Sequence, residues 1–376
     1  MPQAAPPLPS HGPDRFAWPF YGYTKNHTRF YPAADTLRPP FRRLWVHNGN
    51  SLLEFPPVIF GDRIFQLSDN GRLHAINKHT GNEFWSRRVG VLSASSPAVV
   101  GHTVYATVLK RSTHAKGGRV SALNFYNGAL RWSRDLPSAS ESSPLFDHSR
   151  LFLGSQNGTV YALNAHNGDV LWTYHAKGAV KASPTLADGV LYFGDYSGHI
   201  QAVRARDGRR LWVSGSGGTL LGNGTFYSTA AVIYGRVFLG NTDGRVYAYD
   251  ASTGKLDWAH QTGAYVYASP AVANAPGIGP TIYVGSYDGT FYALNARSGK
   301  VVWRHRSGGR ISGSATIVGR TVYFADLGKR RTIGLGISTG RVVFRMPTGS
   351  FDPVITDGKN IYLTGYTGLY GLKPTG

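Results

Sequence analysis

Apolar and polar residues alternate along this chain in short runs of period two, separated by turn residues, and the pattern recurs in blocks of roughly 40 residues. Residues 141–175 give the clearest block. ESSPLF (Glu141–Phe146), RLFLGS (Arg150–Ser155), TVYALNA (Thr159–Ala165) and DVLWTYH (Asp169–His175) each read as a strand with alternate side chains facing a core. Between them, Asn157-Gly158 and Asn167-Gly168 supply the positive φ angles that two-residue hairpin turns require. Four antiparallel strands per block, A to D, are therefore predicted. A 3.6-residue period is missing, and Gly, Pro and β-branched residues recur too often for a solenoid helix.

An aromatic residue marks strand D of each block: Trp45, Trp85, Trp132, Trp172, Trp212, Trp258 and Trp303, then Phe344 at the next expected place. The steps between them are 40, 47, 40, 40, 46, 45 and 41 residues. Repetition of four-stranded units on this scale points to a β-propeller, of the same general architecture as WD40 rings. After Phe344, SFDPVIT, NIYLTG and GLYGLKP supply strands A to C with no D, whereas Phe41–His47 (FRRLWVH) has the D pattern with nothing before it. The predicted fold is thus all-β, an eight-bladed β-propeller of four-stranded antiparallel blades, its ring closed by the N-terminal strand pairing with the C-terminal blade. Residues 41–376 form this single propeller. Residues 16–40 read as an aromatic extension packing on it, and 1–15 as a Pro-rich flexible linker.

The segments ALNAHNGDVLW, AYDASTGKLDW, ALNARSGKVVW and AINKHTGNEFW share the pattern Ala-x-(Asp/Asn)-x-x-(Thr/Asn/Ser)-Gly-x-x-x-Trp. On these residues the chain resembles the eight-bladed propellers of the pyrroloquinoline-quinone (PQQ) repeat superfamily. The resemblance implies that the eight aromatics dock one blade on the next. It leaves function open, because the superfamily holds quinoprotein dehydrogenases as well as non-catalytic members similar to BamB. The dehydrogenases typically carry an adjacent Cys pair beside the quinone, a Ca²⁺ held by Glu and Asn, and an Asp base. This chain has no cysteine. The resemblance therefore implies the non-catalytic branch, with no cofactor expected and a small PQQ-dependent dehydrogenase using the axial pocket as the alternative.

Absence of Cys also excludes disulfides, thiolate metal sites and a Cys nucleophile. No catalytic residue is expected elsewhere. The Gly-rich GSGGTLLGNG (Gly215–Gly224) lacks the Lys of a phosphate loop and joins two strands. Asp195, Asp243 and Asp288 precede or begin Gly-containing hairpin turns, and the turn accounts for them without Ca²⁺. The 13 His residues show no zinc-type spacing, so no metal is expected either.

Two candidate binding regions remain. Aligning strand A on the Pro of SSP, ASP and FPP places Glu54, Ala94, Glu141, Lys181, Tyr227, Tyr267, Ser312 and Ser350 in one ring around an axial mouth. Glu54, Glu141, Lys181, Tyr227, Tyr267 and Ser312 are its candidate ligand-binding residues; the plainer reading is a water-filled axis with a Glu141–Lys181 pair. The second region is a basic rim. The formal net charge is +20 and most of the cations are Arg. The inserted loops KRSTHAKGG and DLGKRR, which carry Lys110, Arg111, Lys116, Lys329, Arg330 and Arg331, should share the face of that mouth, because B–C and D–A connections lie on one side of a propeller. The expected role is a monomeric scaffold of the cell envelope, extracytoplasmic, meeting an acidic protein or anionic envelope polymer. Nucleic acid is not the expected partner, since no aromatic-basic interleaving of a known module is present. The first ten residues lack a secretory pattern, and no run reaches the ~20 apolar residues of a membrane span.

Overall fold

A computed structural model describes residues 16–217, 222–349 and 351–375. The linker expected at 1–15, Ser350 and part of the Gly215–Gly224 loop lie outside these residues. Eight four-stranded antiparallel sheets stand in a ring, two of them extended to five strands by short additions from residues 17–18 and 30–31. In blade three the strands are Leu145–Asp147, Arg150–Gly154, Thr159–Asn164 and Val170–His175. Among the described residues no helix is long and apolar enough to cross a membrane.

Strand A begins later than the alternation implies. The Ser-Ser-Pro stretch before it turns its polar groups sideways, to the neighbouring blade. Ser183, Thr229 and Ser269 each donate their amide to the hydroxyl of the equivalent residue one blade on, at 3.2, 3.0 and 3.0 Å. Ser96 does the same to Ser143 at 2.9 Å, and Ser314 donates to the carboxylate of Asp352. In blade one Pro56 holds this position and offers only its carbonyl, which accepts from Ser96 Oγ at 2.7 Å. The serines before the prolines are thus a belt of blade-to-blade bonds around the axis, where a buried amide without a partner would cost about 1–3 kcal/mol.

The outer docking pattern has an equally local cause. Seven indole N–H groups donate to a carbonyl in the C–D turn of the next blade at 2.9–3.2 Å, from Trp45 to Lys78 and so on round to Trp303 and Ile337. The Gly of each such turn sits at positive φ directly under the Trp ring; a Cβ on Gly168 would lie 2.6 Å from Trp132. Gly is required there both by conformation and by space. Blade seven carries Phe344 instead, packed 5.6 Å from Phe41. The blade it faces has no C–D turn, because its strands C and D come from opposite ends of the chain, so there is no turn carbonyl for an indole to meet.

That closure pairs Phe41–Asn48 with Gly368–Pro374, from Phe41↔Pro374 to Asn48↔Gly368. Trp45 is buried, and beneath it Lys78 Nζ lies 3.6 Å from Asp357 Oδ2 with both side chains inaccessible.

Residues 16–37 line the inner ends of the blades. Ala17–Trp18 pairs with strand A of blade one and Phe30–Tyr31 with that of blade seven, while the carbonyls of Pro19, Lys25, Asn26, Thr28 and Arg29 accept from Val99, Leu186, Val232, Val272 and Ile317. This segment crosses the channel at the end away from the mouth. Trp18, Phe20, Tyr21 and Tyr31 are buried in the process, so these rings are covered by the propeller itself.

Candidate functional site

The lead-in segments converge where the channel opens beyond its plug. Glu54, Glu141, Lys181, Tyr227, Tyr267 and Ser312 all line one axial cavity of about 260 Å³. Ala94 does not reach it. Tyr21 of the extension and Asp352 also face this cavity, and Tyr21 Oη lies 3.1 Å from Ser314 Oγ. Below, the Arg29 guanidinium stacks 3.9 Å over the Tyr21 ring and is almost wholly buried.

The carboxylates of the cavity are unequal. Glu141 accepts from Lys181 at 2.9 Å, from Tyr227 Oη at 3.1 Å and from Gln156 at 2.5 Å. Asp352 is fully buried; burial raises its pKa, against the opposing pull of Arg29 and the Ser314 amide. Glu54 is pushed up to about 7, first by burial and then by Glu141, Asp352 and Asp69. Its folded pKa lies above the ordinary value, so the folded state is favoured while Glu54 is protonated and that advantage is lost as pH rises from about 4.5 through 7. Glu54→Gln should accordingly be more stable than the parent at pH 8, by on the order of 1–3 kcal/mol, with the difference vanishing near pH 4; chemical denaturation at the two pH values measures it.

One wall of the mouth is aromatic. Tyr227 and Tyr267 meet edge to face at 5.7 Å, Tyr267 and Tyr287 at 5.0 Å, and Tyr196 lies 6.2 Å from Tyr227 with Lys181 Nζ 4.9 Å over its ring. Alignment of strand A finds Tyr227 and Tyr267 but misses Tyr196 and Tyr287, which stand on B–C hairpins and enter the mouth from the side. Asp352 was legible: it replaces Ser in the blade-eight counterpart of Ser-Ser-Pro.

The basic loops share the face of the mouth, but blades one and eight separate them, so they form two lobes. Arg111 pairs with Asp135 at 3.3 Å, Arg331 with buried Asp326 at 3.4 Å, and Arg330 stacks 4.5 Å over Tyr366. The Asp residues of the hairpins cap their own turns: Asp195 accepts from the amides of Ser197 and His199, Asp243 from that of Arg245 and Asp288 from that of Thr290.

A family model described as outer membrane protein assembly factor BamB matches residues 42–135, 116–270 and 270–374. No curated protein matches the chain. Among solved structures, BamB from Moraxella catarrhalis is similar at 16% identity and TM-score 0.72, over 89% of this chain and 100% of that one. A europium-containing methanol dehydrogenase is similar at 13% identity and TM-score 0.78, over 96% and 98%. Quinohemoprotein alcohol dehydrogenase from Comamonas testosteroni is similar at 14% and 0.76, over 96% and 81%. At these identities the likeness is one of fold.

Proposed function

We propose, from the premise that this chain belongs to the family of the outer membrane protein assembly factor BamB, that it is a non-catalytic recognition propeller of the cell envelope, meeting an acidic partner with the loop face around its axial mouth. The observation that carries the non-catalytic reading is the charge of the cavity. PQQ is a tricarboxylate. Lys181 is the sole cation among the described residues lining the cavity, and it is already held by Glu141, while Glu54 and Asp352 add further carboxyls. A tricarboxylate would find there no cation other than the lysine that Glu141 already holds, in a partly desolvated site. The residues present do not fit the quinone.

The fold likeness to dehydrogenases keeps a quinoprotein as the second reading, favoured by a cavity on the axis of the ring. Against it, the carboxyls and tyrosines of that cavity suit a compact neutral or cationic group, such as an amine carried by a partner. An acidic partner would instead be met by the two basic lobes outside, with the overall charge of +20 steering its approach.

The test is binding to polyglutamate across a salt series. Lys110, Lys116, Lys329 and Arg330 changed together to Glu should weaken binding at low salt at least tenfold, mainly through the association rate, because rim charges steer encounter. The gap should narrow as the Debye length falls to ~8 Å at 0.15 M. Reversal of Arg297 and Lys300, on the C–D turn of blade six on the opposite face, should leave binding unchanged. If those two matter and the four do not, the face is wrong.

A further inference from the structure

Three residues far apart in sequence meet at the outer seam where the ring closes. His47 is on the closing strand of blade eight, His74 on strand C of blade one and Glu83 on strand D of blade one. One ligand-type atom from each lies within 4.8 Å of the others, and among the described residues this is the only such group of three His, Asp or Glu. The spacing in sequence gives no hint of it.

The hydrogen bonds fix both imidazoles in the same state. His47 Nδ1 is 3.2 Å from the carbonyl of Gly81, and a carbonyl can only accept, so Nδ1 carries the proton. His74 Nδ1 is 2.6 Å from Glu83 Oε2 and donates to it in the same way. Each ring is therefore left with an unprotonated Nε2. Both Nε2 atoms are buried and have no hydrogen-bond partner, and His74 is 4% exposed. The rings are 5.5 Å apart, centroid to centroid, at 68°. Two buried, unpartnered nitrogens on neighbouring rings each cost free energy while unmet, a cost that one shared ligand would relieve.

Other blade interfaces account for half of this arrangement and not the rest. The residue two places after the docking Trp commonly bonds the Gly carbonyl of the next blade, as Arg87 does with Gly128 and Ser214 with Gly254. His47 fills that structural role with Nδ1 alone. Its register neighbour in the next blade is elsewhere Ser121, Tyr161, Gln201 or Tyr247, and where a His again stands two places after the docking Trp, His260 faces Tyr292 at 5.7 Å and His305 has Ile333 as its register neighbour. A His opposite a His, with a carboxylate behind it, occurs at the closing seam.

We propose that His47 Nε2 and His74 Nε2 bind a divalent transition-metal ion of the zinc, copper(II) and nickel class, which staples the N-terminal closing strand to blade one. Imidazole is a preferred ligand of all three. Glu83 holds the Nδ1 proton of His74, the role a carboxylate takes behind a metal-binding histidine, and water completes the coordination.

The test uses the full chain, untagged and stripped with chelator, titrated with Zn²⁺ and with Cu²⁺. One site per chain with micromolar affinity is expected, together with a rise in melting temperature and a Cu²⁺ paramagnetic resonance spectrum showing coupling to two imidazole nitrogens. His47→Gln and His74→Gln should each weaken binding more than tenfold and abolish the thermal shift. Glu83→Gln should weaken it ~10–100-fold, and His102→Gln, on the opposite face, should change nothing. Far-UV circular dichroism checks that the variants fold, and the two-imidazole spectrum of the parent stands independently of them. The proposal is overturned if the parent binds no metal at millimolar concentration, which would leave a buried water as the bridge, or if the double His→Gln variant binds as the parent does.

Discussion

A chain beginning at residue 49 should fail to form a closed, monomeric ring. Strand D of blade eight is supplied by Phe41–Asn48, and among the described residues no other strand pairs with that edge of Gly368–Pro374, whose other edge is taken by Ile361–Thr364. Its loss bares the amides and carbonyls of an inner strand carrying Leu369, Tyr370 and Leu372, and an unpaired apolar edge of that kind is a template for association. It also removes Trp45, the most buried of the docking tryptophans, whose indole bonds Lys78 at 3.0 Å. Static light scattering should show aggregates, and calorimetry should show no single cooperative transition. The milder Trp45→Ala should cost roughly 3–5 kcal/mol, and Trp212→Ala less, since that ring is only half-buried. A shortened chain that stays monomeric with an unchanged melting temperature would falsify closure by this strand.

The second large effect is expected one layer beneath. Lys78 and Asp357 form an ion pair with both side chains buried, and it joins blade one to blade eight at the same seam. Asp357 also accepts from Tyr362 Oη at 2.9 Å and from the amides of Lys359 and Asn360 at 3.0 and 2.7 Å, so its charge is held in place whether or not the lysine is there. Lys78→Met removes the cation and leaves that charge buried, a change that typically costs about 3–5 kcal/mol. Adding Asp357→Asn should recover much of the loss, because it removes the charge and keeps an acceptor oxygen. Urea denaturation of the single and double variants measures the coupling; strictly additive losses would show that the two do not act as a pair.

The fold was legible because the chain repeats one physical solution. Gly fits under Trp and the indole reaches a turn carbonyl at seven interfaces, and Gly closes the hairpins after Asn, Asp, Ser or Thr, so much the same letters recur from blade to blade. The missing strand D after Gly368–Pro374 and the orphan D at Phe41–Asn48 announced closure for the same reason. Strand A was read too long at Glu141–Phe146 because alternation cannot tell a strand from a segment whose amides turn to the next blade. Six of the eight aligned positions, Glu54, Glu141, Lys181, Tyr227, Tyr267 and Ser312, line the axial cavity, because strand register repeats from blade to blade. Tyr196, Tyr287 and the contact of Tyr21 with Ser314 escaped, because they reach the cavity from hairpins and from the extension, outside that register. Likewise His47, His74 and Glu83 are ordinary residues in their own strands, and only closure of the ring brings them together.

The most direct test of recognition in place of catalysis is an absorbance titration of PQQ into the protein with Ca²⁺, and separately with a lanthanide, followed in the same cuvette by dye-linked oxidation of methanol and ethanol. The account predicts no saturable change in the quinone spectrum at micromolar protein and no dye reduction above a protein-free blank. A stoichiometric quinone complex whose formation is lost in Lys181→Ala, accompanied by alcohol oxidation, would contradict it.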